Sequence, residues 1–366
     1  MTRIRIAMIG LKGLPAFGGA AAVGENIVNN LKDEFDFTIL SVASHTLKEN
    51  RIVGGIRQVV FNNYGKGGLN TFIYYIKCML HVLSNKYDLI HLHHAESGFI
   101  TPFLKLRYKV VTTFHGIYDN YYDPKFSSFQ NKFFKFSQKL NIHYANVIVS
   151  VSKPDKEFIC NKYHREVKHI PNGIELNPDF RIILNNKKAK DYLFFAAGRI
   201  YKIKGLHILL KAIKKINSHA KIKVAGDLNQ MNEYKQEIES LSSGLNINFL
   251  GLIKEKPELM NIISNANLFI FPSTTEAMSM MLLEVVSMKT PVIASDIPSN
   301  KAIFSDDEML FFKNNDSDSL AEQLQYAINN PEKMKQKAEK AFQKLIKDNT
   351  WSFISKQYAR VYKSLL

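Results

Sequence analysis

Phe271-Pro-Ser-Thr-Thr-Glu276-Ala-Met-Ser279-Met-Met-Leu-Leu-Glu284 is the stretch on which the reading of this chain turns. A strand-like apolar run, Asn267 to Phe271, enters it and stops at Pro272. A short polar turn, Ser273 to Thr275, follows, and a helix-forming run begins at about Ser279. Strand, tight loop and helix start together suit an anionic ligand. The first amides of a helix lack internal partners, and the helix dipole favours negative charge there. Ser279, Met280, Met281 and Leu282 are the residues whose amides would serve. Two carboxylates bracket the loop, Glu276 before the helix and Glu284 near its second turn.

Outward from this stretch, composition bounds the rest. A chain of 366 residues is too long for a typical single core, so two domains are expected. Its hydrophobic fraction of 46% is ordinary for a globular protein. Cys78 and Cys160 stand far apart, which implies no disulfide framework and fits a reducing compartment. No apolar run approaches the roughly 20 residues that span a bilayer. The start, Met1 to Lys12, is charged and then apolar but is cut short by Lys12, so it reads as a first strand rather than a signal peptide. The net charge of +16 points to nucleic acid, an anionic membrane or anionic substrates, unless the scattered lysines form a solvated surface.

Strands and amphipathic helices alternate along the chain, the pattern of doubly wound α/β domains. Ile4 to Ile9 leads into Gly10-Leu-Lys-Gly-Leu-Pro-Ala-Phe-Gly-Gly19, then a helix with Ala20, Val23, Ile27, Val28 and Leu31 on one face. The glycine spacing is not the dinucleotide fingerprint, and no acidic residue ends an obvious second strand, so no nicotinamide cofactor is expected. Gly18 and Gly19 would let backbone approach a ligand closely. Leu89 to Leu92 is a strand followed by His93 and His94. With His91, these read as strand-end polar residues, since their spacing does not suit tetrahedral zinc. Lys109 to Phe114 is a β-branched strand that delivers His115 to its carboxyl end, where open α/β sheets hold ligands.

Residues 99–144 carry thirteen aromatic rings interleaved with seven Lys and Arg residues, against only Asp119 and Asp123. Basic residues beside rings suit a membrane surface, where rings sit at headgroup depth. They also suit single-stranded nucleic acid. About half of the rings are expected in the core. Between Glu175 and Asp191 periodicity fades, and the interdomain linker is placed there.

A second doubly wound pattern opens at Tyr192 to Ala197 and runs into Gly198-Arg199-Ile-Tyr-Lys-Ile-Lys204-Gly205. Two cations at a strand-helix junction can stabilise the charge that develops on a leaving diphosphate, without a metal. Arg supplies a rigid fork and Lys a point charge. Helices are expected over 317–347, and Trp351 to Leu366 is amphipathic. Asp316 and Asp318 could pass for a metal-binding pair, but they precede a helix and read as a cap.

The spacing Glu276-x7-Glu284 after an apolar strand, the Gly-Arg-x4-Lys-Gly run, Thr113-x-His115-Gly116, Pro171-Asn172-Gly173 and Gly18-Gly19 together resemble retaining glycosyltransferases of family 4, which have the two-domain GT-B fold. The resemblance covers nearly the whole chain. It implies two Rossmann-like α/β domains facing across a cleft, residues 1–176 on the acceptor side and 190–348 on the nucleotide-sugar side. A last helix within 349–366 would cross back to the first. It implies that Arg199 and Lys204 hold the donor diphosphate, helped by amides from Ser279 to Leu282 and by the glycine pair Gly18 and Gly19. Glu284 would bind ribose hydroxyls. Glu276 and His115 would lie by the transferred sugar, Glu276 either orienting it or stabilising positive charge at its anomeric carbon. Ala277 and Ala302 depart from the family's usual glycine and acidic residue.

The expectation is therefore a metal-independent hexosyltransferase with no cofactor, using a nucleotide-sugar donor, a UDP-sugar by preference. The acceptor would be a glycan or lipid-linked saccharide of a bacterial surface polysaccharide. The chain would be cytoplasmic and peripheral on the inner face of the membrane, with anionic lipid as partner and no nucleic acid. An epimerase or phosphorylase on the same fold, or a basic nucleic-acid-binding protein, are the other readings.

Overall fold

In the computed structural model, which describes residues 3–16, 18–46, 51–64, 67–119, 127–176, 192–216 and 219–366, the chain divides into two compact units. One is Met1–Gly173 with Trp351–Leu366, the other Ile174–Thr350. Residues 177–191, most of the stretch read as a linker, lie outside the described residues.

The first unit begins with β1 (Arg5–Lys12), α1 (Gly19–Leu31) and β2 (Asp36–Val42), then β3 (Arg51–Val53) and β4 (Ile56–Phe61). It continues through α2 (Gly67–Ser84), β5 (Leu89–His93), a 3-10 turn (Ala95–Ile100), α3 (Thr101–Lys105) and β6 (Lys109–Phe114). It then adds α4 (Ser128–Tyr144), β7 (Val147–Ser150), α5 (Lys153–Tyr163) and β8 (Lys168–His169). The eight strands order as β3-β4-β2-β1-β5-β6-β7-β8. All neighbours are parallel except β3 and β4, because helical crossovers return the chain to the same edge each time. Helices then cover both faces of the sheet, so Ile6 to Ile9 of β1 and Leu89 to Leu92 of β5 are buried on both sides, with no apolar-polar alternation. Helix α4 starts at a reciprocal cap, with Ser127 accepting from the Gln130 amide and the Gln130 side chain accepting from the Ser127 amide.

The second unit runs β9 (Tyr192–Arg199), a 3-10 turn (Lys202–Lys204), α6 (Leu206–Lys215), β10 (Lys221–Asp227), α7 (Asn232–Ser242) and β11 (Ile247–Gly251). It goes on through α8 (Lys256–Ser264), β12 (Leu268–Phe271), α9 (Met280–Ser287), β13 (Val292–Ser295), α10 (Pro298–Lys301), β14 (Leu310–Phe312), α11 (Ser317–Asn329) and α12 (Pro331–Asp348). Its six strands are all parallel, in the order β11-β10-β9-β12-β13-β14. The helices expected over 317–347 are two, α11 and α12. Pro331 starts the second and forces Asn330 before it out of helical conformation, at φ −128° and ψ 54°.

The chain closes with α13 (Trp351–Lys363), which belongs to the first unit and packs beside α1. Trp351, Ile354, Tyr358, Val361 and Tyr362 are buried, and the Tyr362 ring meets Phe35 edge-on with centroids 5.4 Å apart.

The aromatic segment is more open than expected. Of its ten described rings only Tyr108 and Phe114 are buried, while Phe103, Phe129 and Phe136 are exposed and the rest half-buried. Phe133 and Phe134 are not free on the surface, since Phe133 packs on Phe99 and Phe72, and Phe134 on Tyr118. Tyr121, Tyr122, Lys125 and Phe126 lie outside the described residues.

Candidate active site

In the second sheet β9 and β12 are neighbours, yet the strands following each lie on opposite sides. Such a reversal leaves a crevice at the carboxyl ends of the two strands. Two loops emerge there, Gly198–Gly205 after β9 and Pro272–Ser279 after β12. Thr274 ties them together. Its amide and its hydroxyl both donate to the Ile203 carbonyl, at 2.8 and 3.3 Å. Gly205 lies at φ 73°, and a Cβ there would sit 2.0 Å from the Pro272 carbonyl oxygen, so only glycine lets the loops close this far. The Pro272 loop is held from its other side as well. Ser295 Oγ donates to the Ser273 carbonyl at 2.5 Å and Asn314 Nδ2 to the Thr274 carbonyl at 3.1 Å.

On this braced floor Lys204 Nζ lies 2.6 Å from Glu276 Oε1, with the side chains only 22% and 14% exposed. Burial alone would lower the Lys204 pKa, but the charge and hydrogen bond of Glu276 hold it above the ordinary lysine range. Lys204 therefore stays cationic. Arg199, exposed at the end of β9, enters no salt bridge among the described residues. Opposite it in register is Asp227, whose carboxylate is held low mainly by the Asn229 amide. Helix α9 is capped by Ser279, whose hydroxyl accepts from the Leu282 amide at 3.4 Å. The Leu282 amide is thus engaged within the cap, and those of Met280 and Met281 stand ahead of it. One turn on, Glu284 pairs with Lys256, the first residue of α8. Asp316 accepts from the Asp318 and Ser319 amides, as an N-cap does.

Gly18, Gly19 and His115 belong to the first unit. Gly18 is the cap of α1 at φ 100°, it and Gly19 are exposed, and among the described residues nothing lies within 4 Å of a Cβ built on Gly18. His115 follows β6 and is half-buried. Of the histidines read as strand-end polar residues, His93 does end β5 and His94 follows it, but His91 and His93 are not at the surface. Both are fully buried within β5. His91 Nδ1 meets the Tyr362 hydroxyl and its Nε2 meets Thr113 Oγ1, each at 2.8 Å. His93 Nδ1 lies 2.9 Å from His115 Nε2, with the two rings stacked at 5.2 Å. Burial drives the His91 pKa down to about 3. His93 and His115 are likewise held well below the usual histidine range, by burial first and then by neighbouring histidines, His91, His115 and His94 for His93 and His94 and His91 for His115.

Two family models match this chain, Glycosyltransferase Family 4 over residues 17–178 and Glycosyl transferases group 1 over residues 180–344. The chain belongs to these family 4, group 1 glycosyltransferases. An uncharacterized glycosyltransferase of Methanocaldococcus jannaschii is 27% identical, over 96% of each chain. An Escherichia coli enzyme named UDP-Gal:α-D-GlcNAc-diphosphoundecaprenol α-1,3-galactosyltransferase is 26% identical, over 65% of this chain and 66% of its own. Among solved structures, a sucrose-phosphate synthase of Thermosynechococcus elongatus superposes with a TM-score of 0.84 at 20% identity, over 99% of each chain. The fold is GT-B.

In this glycosyltransferase, sequence reasoning singled out neither Lys256 nor Thr274. Lys256 meets Glu284 only because β12 threads between their helices, and no local spacing signals that. His93 did carry a signal, since residues two apart on a strand share a face and His91 and His93 flank Leu92.

Proposed function

We propose that this glycosyltransferase moves a hexose-type sugar, with retention, from a nucleotide-sugar donor to a glycan or lipid-linked saccharide in bacterial surface polysaccharide assembly. The observation that carries the reading is the Lys204–Glu276 pair at the switch point of the second unit, with Arg199 at the end of the same strand and loop. A cation held in a low-dielectric recess and an open guanidinium form a diphosphate cradle that supplies positive charge from side chains. Met280 and Met281 would add helix amides, and Glu284 would accept from the ribose hydroxyls, while Gly18 and Gly19 offer bare backbone for close approach. With the diphosphate on Lys204, Glu276 is the carboxylate next to the reacting carbon. A UDP-sugar is the favoured donor, in keeping with the name of the Escherichia coli relative, as is a lipid-linked acceptor.

We also propose that the enzyme works in the cytoplasm, peripherally on the inner face of the membrane. No helix among the described residues is long and apolar enough to cross a membrane. Phe129 is 79% and Leu106 87% exposed, with Phe103 and Phe136 open as well and Lys105, Arg107, Lys132 and Lys139 exposed near them in sequence. Rings beside cations fit an anionic lipid surface.

Thermal shift with a panel of nucleoside diphosphates and nucleotide sugars tests the function. A true donor at 100 times its Kd stabilises by about 2.7 kcal/mol. If none of the panel raises the melting temperature, the reading falls. Interconversion of free nucleotide sugars with no acceptor would favour an epimerase instead.

A further inference from the structure

His93 and His115 share one hydrogen bond, from His93 Nδ1 to His115 Nε2 or the reverse. Both rings are neutral, so one nitrogen of the pair carries the proton and the other the lone pair. The remaining nitrogen of each ring decides which. His93 Nε2 is buried and has no hydrogen-bond partner among the described residues. If His115 Nε2 were the donor, His93 would carry its own proton on Nε2, an orphaned N–H in the sheet interior. Orphaned buried donors are the rarer and more costly defect. If His93 Nδ1 is the donor, Nε2 is only an unused lone pair. His115 then must carry its proton on Nδ1, and no described residue takes that nitrogen.

We infer that His93 is a positioning residue that locks His115 as the neutral Nδ1–H tautomer, so that His115 offers a hydrogen-bond donor to an oxygen of the bound sugar and does not act as a base. His93 is itself fixed. Its ring lies 4.3 Å from that of His91, which Tyr362 and Thr113 hold from both nitrogens, and a Cβ on Gly10 would come within 2.4 Å of its carbonyl oxygen. The oxygen partner is any sugar hydroxyl with a free lone pair. The role in sugar binding rests on the function proposed above, whereas the tautomer does not.

The test uses full-length protein labelled with nitrogen-15 in its histidines and a long-range proton–nitrogen correlation, with His115 and His93 assigned from His115→Asn and His93→Asn. The expected result is a pyridine-type Nε2 and a pyrrole-type Nδ1 for His115. A pyrrole-type Nε2 in the wild type overturns the proposal. His93→Leu removes the donor and should scramble the His115 tautomer, while His93→Asn, whose amide stands near the place of Nδ1–H, should preserve it. If His93→Leu does not fold, the wild-type and Asn spectra still decide. With a working sugar donor, His93→Leu should lower kcat by about 10–100-fold, the scale known for outer-shell partners, at little change in donor KM, and His93→Asn should recover most of it. Unchanged kcat in His93→Leu overturns the positioning role. Absence of any glycosyl transfer with the expected tautomer present would instead refute the function and leave the tautomer standing.

Discussion

Lys204 Nζ sits 2.6 Å from Glu276 Oε1 although 72 residues separate them, and the contact joins the loops that leave two neighbouring parallel strands. The carboxylate proposed to stand by the sugar thus also holds in place the lysine proposed to bind the diphosphate. An incoming diphosphate would share that lysine with Glu276 or take it over.

Removing either cation should weaken the donor. Lys204→Ala and Arg199→Ala are each expected to reduce affinity for the nucleoside diphosphate by about 1.5–3 kcal/mol, the usual worth of a hydrogen bond to a charged group. Lys204→Ala should also lower stability slightly, since it leaves the Glu276 carboxylate without its partner. Titration calorimetry showing unchanged diphosphate affinity in both variants would remove them from the donor site.

Glu276→Gln keeps the shape of the side chain and removes its charge. Turnover should fall by about 10²–10³-fold, as for other preorganised groups at a reacting centre, with donor affinity changed much less. Wild-type kcat in this variant, with any acceptor that works, would exclude Glu276 from the chemistry.

The buried histidines make stability depend on pH. The folded-state pKa of His91 lies near 3, below the ordinary value of 6.5 that holds in the unfolded chain. The unfolded state therefore binds more protons once the pH drops below that ordinary value. The stabilisation is complete above 6.5 and is lost as the pH falls towards 3. Each such histidine steepens the decline by about 1.4 kcal/mol per pH unit. His91→Gln, which can still hydrogen-bond to Tyr362 and Thr113 but does not titrate there, should give a shallower slope in urea unfolding between about pH 7.5 and about pH 5. Identical slopes for wild type and variant would contradict this account.

Reversing the charge of Lys132, Lys135 and Lys139 to Glu should abolish sedimentation with anionic vesicles at low salt, and Phe129→Ala should weaken it. Each cation near such a surface contributes about 1 kcal/mol, and the attraction fades within a Debye length. Wild-type protein that stays in the supernatant, or a triple variant that pellets as before, would count against a membrane surface on α4.

The doubly wound folding of both units was legible because strand, loop and helix succeed one another within some twenty-five residues, where periodicity and loop chemistry act locally. Arg199, Lys204, Glu276 and Glu284 could be picked out for the same reason, each sitting in a strand-to-helix loop or just past it. What holds them was not legible. Thr274 reaching Ile203, Asn314 reaching Thr274 and Lys256 reaching Glu284 all depend on strand order, which no window of sequence contains. The histidines failed differently. His91 and His93 look like polar strand-end residues until Tyr362, Thr113 and His115 arrive to satisfy three of their four ring nitrogens. The aromatic segment was over-assigned to the core, since ring content marks burial only where a second element covers the ring, as neighbouring rings do for Phe133 and no described residue does for Phe129.

The bond between His91 and Tyr362 carries a consequence for how the protein is made. A ribosome releases the strands of the first sheet long before residue 362. Until then, His91 faces a gap where a hydroxyl and two packed rings belong. The first unit thus begins to emerge before the second and is finished after it, and a nascent chain lacking α13 holds a sheet whose polar interior is open. The second unit, whose strands and helices lie together between residues 174 and 350, can consolidate in the meantime without waiting for α13.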